Sequence, residues 1–182
     1  MIIKRLEFDG VIEIQPTVHH DNRGDFVEAF NPTDLLVAAG IDFESVQTNL
    51  STSKAGTIRG IHFADVPPGQ AKYVQCVSGK AWDVIVDLRP HSKTFGQWIA
   101  VTLDSELHNA VHIPEGFGHA FQALTDDTKV LYQCSTAFNP EAEHEVNPFD
   151  ETLDIKWPLA ASLVSEKDKN APSFKTFFKV AE

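Results

Sequence analysis

A chain of 182 residues, 42% hydrophobic and 23% charged, has ordinary globular composition and length enough for one domain with a sizeable core, expected over residues 1–182. Its 15 Lys and Arg against 26 Asp and Glu give a net charge of −11, which argues against nucleic acid as the main partner. An anionic small ligand stays open, because a few placed cations reverse the field inside one pocket. The N-terminal stretch MIIKRLEFDGVIEI lacks the apolar core of a signal peptide, and no run approaches membrane-spanning length, so the expectation is a cytoplasmic protein with no membrane partner.

Strand signals dominate. Val11-Ile12-Glu13-Ile14 has strand character and leads into Pro16, and residues 21–25 have turn chemistry. Phe26, Glu28 and Phe30 then alternate with Val27 and Ala29 as a short strand. The good early helix spans residues 32–39, with Asn31 or Thr33 to cap it, Pro32 in its first turn and Gly40 at its end. Residues 44–50 return to extended character, with Gln47 and Asn49 on one face.

Residues 73–77 and 81–88 are the next two strands, and Ser78-Gly79-Lys80 between them reads as a hairpin turn. In the second run Trp82, Val84, Val86 and Leu88 share one face, and Ala81, Asp83, Ile85 and Asp87 the other. Carboxylates alternating with apolar residues predict one packed face and one facing a cavity or solvent. Further strands follow at 98–103, 110–113 and 130–134, punctuated by Pro114-Glu115-Gly116 and Thr125-Asp126-Asp127. From Asn139 the chain reads as acidic, proline-bearing loop, then a tail in which Phe174, Phe177 and Phe178 form one apolar helix face. Short, regularly spaced strands with little helix predict an antiparallel barrel or sandwich. Cys76 and Cys134, both in apolar strand contexts, read as buried thiols.

Chemistry concentrates in residues 56–89, which hold Arg59, His62, Lys72 and Arg89. A lone strand-end histidine is more often structural than catalytic, but the cations near His62 suit an anionic substrate. Lys72 reads either as a solvated lysine or, buried, as a stabiliser of negative charge on a carbonyl oxygen. His119, among aromatics, divides evenly between a satisfied core imidazole and a ligand contact. Tyr132 reads as core packing or as a general acid. Asp168, in Ser165-Glu166-Lys167-Asp168, is either a helix capping-box residue or a carboxylate that orients His62. A metal site in a small barrel commonly asks for a His-x-His pair with further ligands; residue 64 is Ala, and His108, His112 and His119 lack that spacing, so no metal is expected.

Taken together, the stretches DNRGDFVE (21–28), QTN (47–49), GTIRGIHF (56–63), PGQAK (68–72), WDVIVDLR (82–89), IPEGFGH (113–119), WP (157–158) and SEKD (165–168) resemble the dTDP-4-dehydrorhamnose 3,5-epimerase family, in the family's order across nearly the whole chain. The resemblance implies an all-β, cupin-like jelly-roll barrel with a few short peripheral helices, a homodimer, and no metal or organic cofactor. It implies inversion of C3 and C5 of dTDP-4-keto-6-deoxyglucose through an enolate. By this similarity His62 is the base, supported by Asp168; Lys72 stabilises the enolate oxygen; Tyr132 returns a proton from the opposite face. Arg59, His119 and Lys167 would bind the sugar and diphosphate, and Glu143 would also contact the substrate. Arg23, Phe26, Glu28, Gln47, Thr48, Asn49 and Phe138 would hold the nucleotide, partly across the dimer interface.

The family commonly has Tyr at position 138, and Ala-His-Gly where this chain has Gly118-His119-Ala120. A phenyl face still stacks on thymine, without the hydroxyl. The rival readings are a 3- or 5-position epimerase or a ketoisomerase of a related sugar, a non-catalytic nucleotide-sugar-binding cupin, and a metal-dependent cupin.

Overall fold

The computed structural model describes residues 1–180; residues 181 and 182 of the expected domain lie outside the described residues. The chain begins with β1 (Ile2–Arg5), β2 (Ile12–Gln15), β3 (Val18–Asp21), β4 (Gly24–Val27) and α1 (Pro32–Ala39). Next come β5 (Gln47–Ser53), β6 (Ile58–Ala64), β7 (Lys72–Ser78), β8 (Lys80–Asp87) and β9 (Trp98–Asp104). The last elements are β10 (Ala110–Ile113), β11 (Phe117–Ala123), β12 (Thr128–Cys134), β13 (Glu143–Glu145), α2 (Glu166–Lys169) and α3 (Phe174–Phe178).

Two antiparallel sheets face each other, in the orders β1-β2-β10-β7-β12-β5 and β13-β6-β11-β8-β9, with β3-β4 as a separate ribbon. From β5 onward the chain changes sheet at every connection except β8 to β9. That alternation makes a cupin-like jelly roll, as expected. It also corrects one expected turn: Ser78-Gly79-Lys80 is not a hairpin, because β7 and β8 belong to different sheets. Gly79, at φ 74°, turns the chain through a corner between them. The Gly79 and Lys80 carbonyls accept from Ser105 and Leu124 instead of closing a hairpin ladder.

Between the sheets lies a core of Val74, Cys76, Ile85, Val101, Leu103, Phe121 and Val130. On the outer face of the larger sheet, α1 lays Leu35 and Ala39 against Ile12, Ile14 and Tyr73. This helix follows its sequence signals: Asn31 Oδ1 accepts from the Thr33 and Asp34 amides, and Gly40 closes it at φ 74°. The outer face of the smaller sheet is covered by the segment after β13, whose Val146, Leu153, Ile155 and Phe174 pack on Val84, Val86 and Leu88. Trp98 and Trp157 pin that cover, donating their indole N–H groups to the Leu153 and Pro148 carbonyls at 2.9 Å each. Neither face of β8 is therefore solvated; of the two alternatives for its carboxylate-bearing face, cavity or solvent, solvent is excluded.

Several elements differ from expectation. No strand is read from the sequence over β1, β3, β11 or β13; β11 is buried at every position, so it has no polar face to reveal it. The strand expected to run on through Phe30 ends at Val27. The expected loop after Asn139 contains β13, which pairs with β6 at the sheet edge. Both cysteines are free and buried.

Two buried groups contribute to the acid stability in separate pH windows. Burial by itself pushes the Asp87 carboxyl up, but hydrogen bonds from Arg89, Ser92 and Thr94 overbalance it and bring it to about 2. Burial pushes the His112 imidazole down to about 4, although its Nδ1 lies 3.3 Å from the Gly10 carbonyl. Both folded values lie below the unfolded ones of about 3.9 and 6.5. Each contribution is whole above the unfolded value and is lost as pH falls through the folded one. The urea midpoint should therefore drop first between about pH 6.5 and 4, then between about pH 3.9 and 2. His112→Phe should remove the upper step; a wild-type midpoint flat across that upper window would refute the assignment.

Candidate active site

The site begins with a backbone irregularity. In β6 Arg59 and His62 are three residues apart, an odd spacing that a regular strand puts on opposite faces. Opposite them in β11, Phe121 pairs with Arg59 and His119 with His62, only two residues apart, so β6 carries one extra residue as a bulge. Gly60 is that bulge, at φ 101°, and a Cβ there would stand 2.4 Å from the His119 carbonyl oxygen. With the bulge, Arg59 and His62 both line a cavity of about 860 Å³ open between the two sheets.

Asp168 reaches this cavity from α2. Ser165 caps the helix by accepting from the Asp168 amide at 3.0 Å, half of a capping box. The carboxylate does not complete the box. Instead Oδ1 lies 2.7 Å from His62 Nε2, and Oδ2 accepts from the Gly60 amide at 3.3 Å. Burial pushes the Asp168 carboxyl up, but its hydrogen bonds with His62, Ser165 and Gly60 win and hold it below the usual carboxylate value. An ionised carboxylate only accepts, so Nε2 carries the proton and Nδ1 is left as the basic nitrogen.

Lys72, the first residue of β7, is 5% exposed and lines the same cavity. Burial pushes its ammonium below the ordinary lysine value, against the pull of Cys134, Glu143 and Asp83. No hydrogen bond or ion pair holds it among the described residues. Tyr132, on β12 of the same sheet, faces β6 across the cavity. Burial raises its phenol, with Cys134 and Glu143 adding and Arg59 opposing, so it keeps its proton at neutral pH. Arg59 is aimed by Ser53 Oγ at 3.1 Å and the Thr52 carbonyl at 3.2 Å.

His119 also lines the cavity, with Nε2 2.7 Å from Asp83 Oδ2. Asp83 is fully buried; burial pushes its carboxyl up against the pull of His119 and Lys72, and its Oδ1 has no partner. Sequence reasoning placed Asp83 on a cavity-or-solvent face and missed this pairing, though a carboxylate inside an apolar strand was the signal.

At the mouth, Gln47 and Asn49 leave β5 on one face, joined by a 2.9 Å hydrogen bond, and Gln47 Oε1 accepts from the Phe138 amide at 2.8 Å. Phe138 itself is 61% exposed. Glu143 accepts from Gln70 at 3.1 Å, and Lys167 pairs with Glu145 at 2.9 Å; neither Gln70 nor Glu145 was singled out from sequence. Four expected nucleotide residues do not reach the cavity of their own chain. Thr48 points to the outer face of β5, as the period of a strand requires. Arg23, Phe26 and Glu28 stand exposed on or just after the β3–β4 ribbon, with Arg23 paired to Asp21 at 2.6 Å.

Among the described residues, no three His, Cys, Asp or Glu side chains converge to hold a metal ion, and no helix is long and apolar enough to cross a membrane. The arrangement offers a base, a phenol on the facing sheet and an unpaired cation, around a cavity of nucleotide-sugar size.

A family model described as dTDP-4-dehydrorhamnose 3,5-epimerase matches residues 5–176. The dTDP-4-dehydrorhamnose 3,5-epimerase of Mycolicibacterium smegmatis is 47% identical over 174 residues, covering 95% of this chain and 86% of the relative. The solved Mycobacterium tuberculosis epimerase superposes with a TM-score of 0.95 at 43% identity, over 98% of this chain and 91% of that one. The 3'-monoepimerase of Streptomyces bikiniensis, solved in complex with dTDP-quinovose, gives 0.91 at 43% identity, over 96% and 88%. Matched along nearly its whole length, the chain belongs to the dTDP-4-dehydrorhamnose 3,5-epimerase family.

Proposed function

We propose that this chain, as one domain, inverts C3 and C5 of dTDP-4-keto-6-deoxyglucose through an enolate, giving dTDP-4-keto-rhamnose. The observation that carries this reading is the placement of base and acid on opposite walls: the His62–Asp168 pair on the smaller sheet, and Tyr132 with the unpaired Lys72 on the larger. Inversion next to a ketone asks for a base on one face, an acid on the other and a stabiliser of the oxygen's charge.

His62 Nδ1 takes the proton from the carbon beside the ketone. The pair of electrons moves to the C4 oxygen, where the Lys72 ammonium meets the charge. Tyr132 returns a proton to the opposite face. Arg59, His119, Glu143 and Lys167 hold the sugar and diphosphate; Gln47, Asn49 and Phe138 hold the nucleoside, Phe138 through its ring face.

Arg23, Phe26 and Glu28 serve the nucleotide only in a homodimer, where the ribbon of one protomer reaches its partner, and Thr48, on the outer face of β5, likewise serves only a partner's site. A two-stranded ribbon with Phe26 68% exposed is marginal alone, which supports that reading; sedimentation as a monomer would remove it. The two free thiols fit the reducing cytoplasm.

Proton NMR of dTDP-4-keto-6-deoxyglucose with the protein in deuterated buffer tests the reaction. Deuterium should enter at both C3 and C5. Exchange at one carbon alone would make this a single-position epimerase, like the Streptomyces bikiniensis relative. Exchange at neither carbon, with the nucleotide sugar bound, would end the enolate reading for this substrate.

A further inference from the structure

Cys134 ends β12 inside the cavity, 2% exposed, and takes no part in the proton transfers above. Its strand partner is Lys72 of β7, so the two side chains leave adjacent strands on one face. That lysine is 95% withdrawn from solvent, unpaired, and turned into the same space. The Asn49 amide completes the setting, with Nδ2 3.9 Å from Sγ. A thiol beside a bare ammonium and an N–H donor is a place where a thiolate forming during attack is stabilised, and where an anion is held while it reacts.

We propose that Cys134 is a covalent ligand site, inside the cavity, for small soft electrophiles that carry a negative charge, such as halogenated carboxylates. With iodoacetate, Sγ attacks the methylene carbon. The carbon–sulfur bond forms as the carbon–iodine bond breaks, iodide leaves with the bonding pair, and the thiol proton passes to solvent. The Lys72 ammonium holds the reagent's carboxylate against the sulfur. Burial and the Glu143 carboxylate push the Cys134 thiol up, while Lys72 and the Asn49 amide oppose that rise, so the site selects by charge at the reagent, on the Lys72 side of the sulfur, rather than by general thiol reactivity.

Cys76 is the internal control. It is equally buried, but it lies in the apolar core with its Sγ donating to the Ser78 carbonyl at 3.1 Å, and it does not line the cavity.

The folded protein is treated in parallel with iodoacetate and iodoacetamide, and adducts are located by intact mass and peptide mapping. One carboxymethyl group per chain is expected, on Cys134. The iodoacetate-to-iodoacetamide rate ratio should exceed that of free cysteine by about tenfold, the lower end of what a focused field gives. Lys72→Met should return the ratio to the free-cysteine value, and Cys134→Ala should take no label. A folded wild-type chain that takes no label, equal labelling of Cys76, or an ordinary charge ratio would overturn the proposal. The nucleotide reading of the cavity is judged by a separate arm. Labelling of Cys134 that saturating dTDP fails to slow counts against dTDP in this cavity and leaves the thiol site standing.

Discussion

His62→Ala should lower turnover by about 10²–10⁴-fold while leaving the fold intact, the range for loss of a positioned acid–base group. The imidazole side chain is 43% exposed on the cavity wall, so truncating it opens no void in the core. What it removes is the group that Asp168 has fixed. The carboxylate is held by the Gly60 amide and buried at 3% exposure, so it keeps the ring in one tautomer and one orientation. Steady-state kinetics beside circular dichroism checks this. A folded variant with near-wild-type turnover would remove His62 from the mechanism and leave the Asp168 contact as a structural tie.

Lys72→Met should separate activity from stability, with opposite signs. Removing one preorganised charge stabiliser costs about 2.7–4 kcal/mol of transition-state energy, a loss of about 10²–10³ in kcat. The free protein should gain. An unpaired ammonium in a buried position is expensive, and an apolar chain of similar length relieves that cost. The expected result is therefore a higher Tm with a turnover lower by two to three orders of magnitude, on the order given for such donors. A Tm that falls together with unchanged kcat would mean that Lys72 is tied to a partner and idle in catalysis. The two experiments are complementary, because the proposed mechanism puts His62 at the carbon-bound proton and Lys72 at the oxygen.

A negatively charged protein binding a nucleotide diphosphate is no contradiction. The net charge of −11 is a property of the whole surface, whereas Arg59, Lys72 and Lys167 stand at one cavity. Within that cavity Glu143 and Asp168 offset part of the positive field, and this balance suits a ligand that combines a diphosphate with a neutral sugar.

What the sequence determined by itself was local. Helix α1 was legible to the residue, because Asn31, Pro32 and Gly40 each act on backbone groups within four positions. Strands β9, β10 and β12 were legible to within one or two residues, since turn chemistry bounds them. The residue types that carry acid–base chemistry were legible too, and so was the family, from motifs quoted in order.

What only the tertiary structure decided was register. Whether Asp168 caps a helix or orients His62 depends on a contact across 106 residues, and the answer was half of each: its amide is capped, its carboxylate is not part of the cap. Asp83 finds His119 only because β8 and β11 pair. The apparent hairpin at Gly79 became a corner for the same reason, as β7 pairs with β10 and β12 in one sheet and β8 with β9 and β11 in the other. Arg59 and His62 share a face through one inserted residue at Gly60, which no two-residue period predicts. Local signals report steric and hydrogen-bonding preferences of neighbours in sequence, while a cavity is made where distant strands pair, and that pairing is set by the burial of both sheets at once.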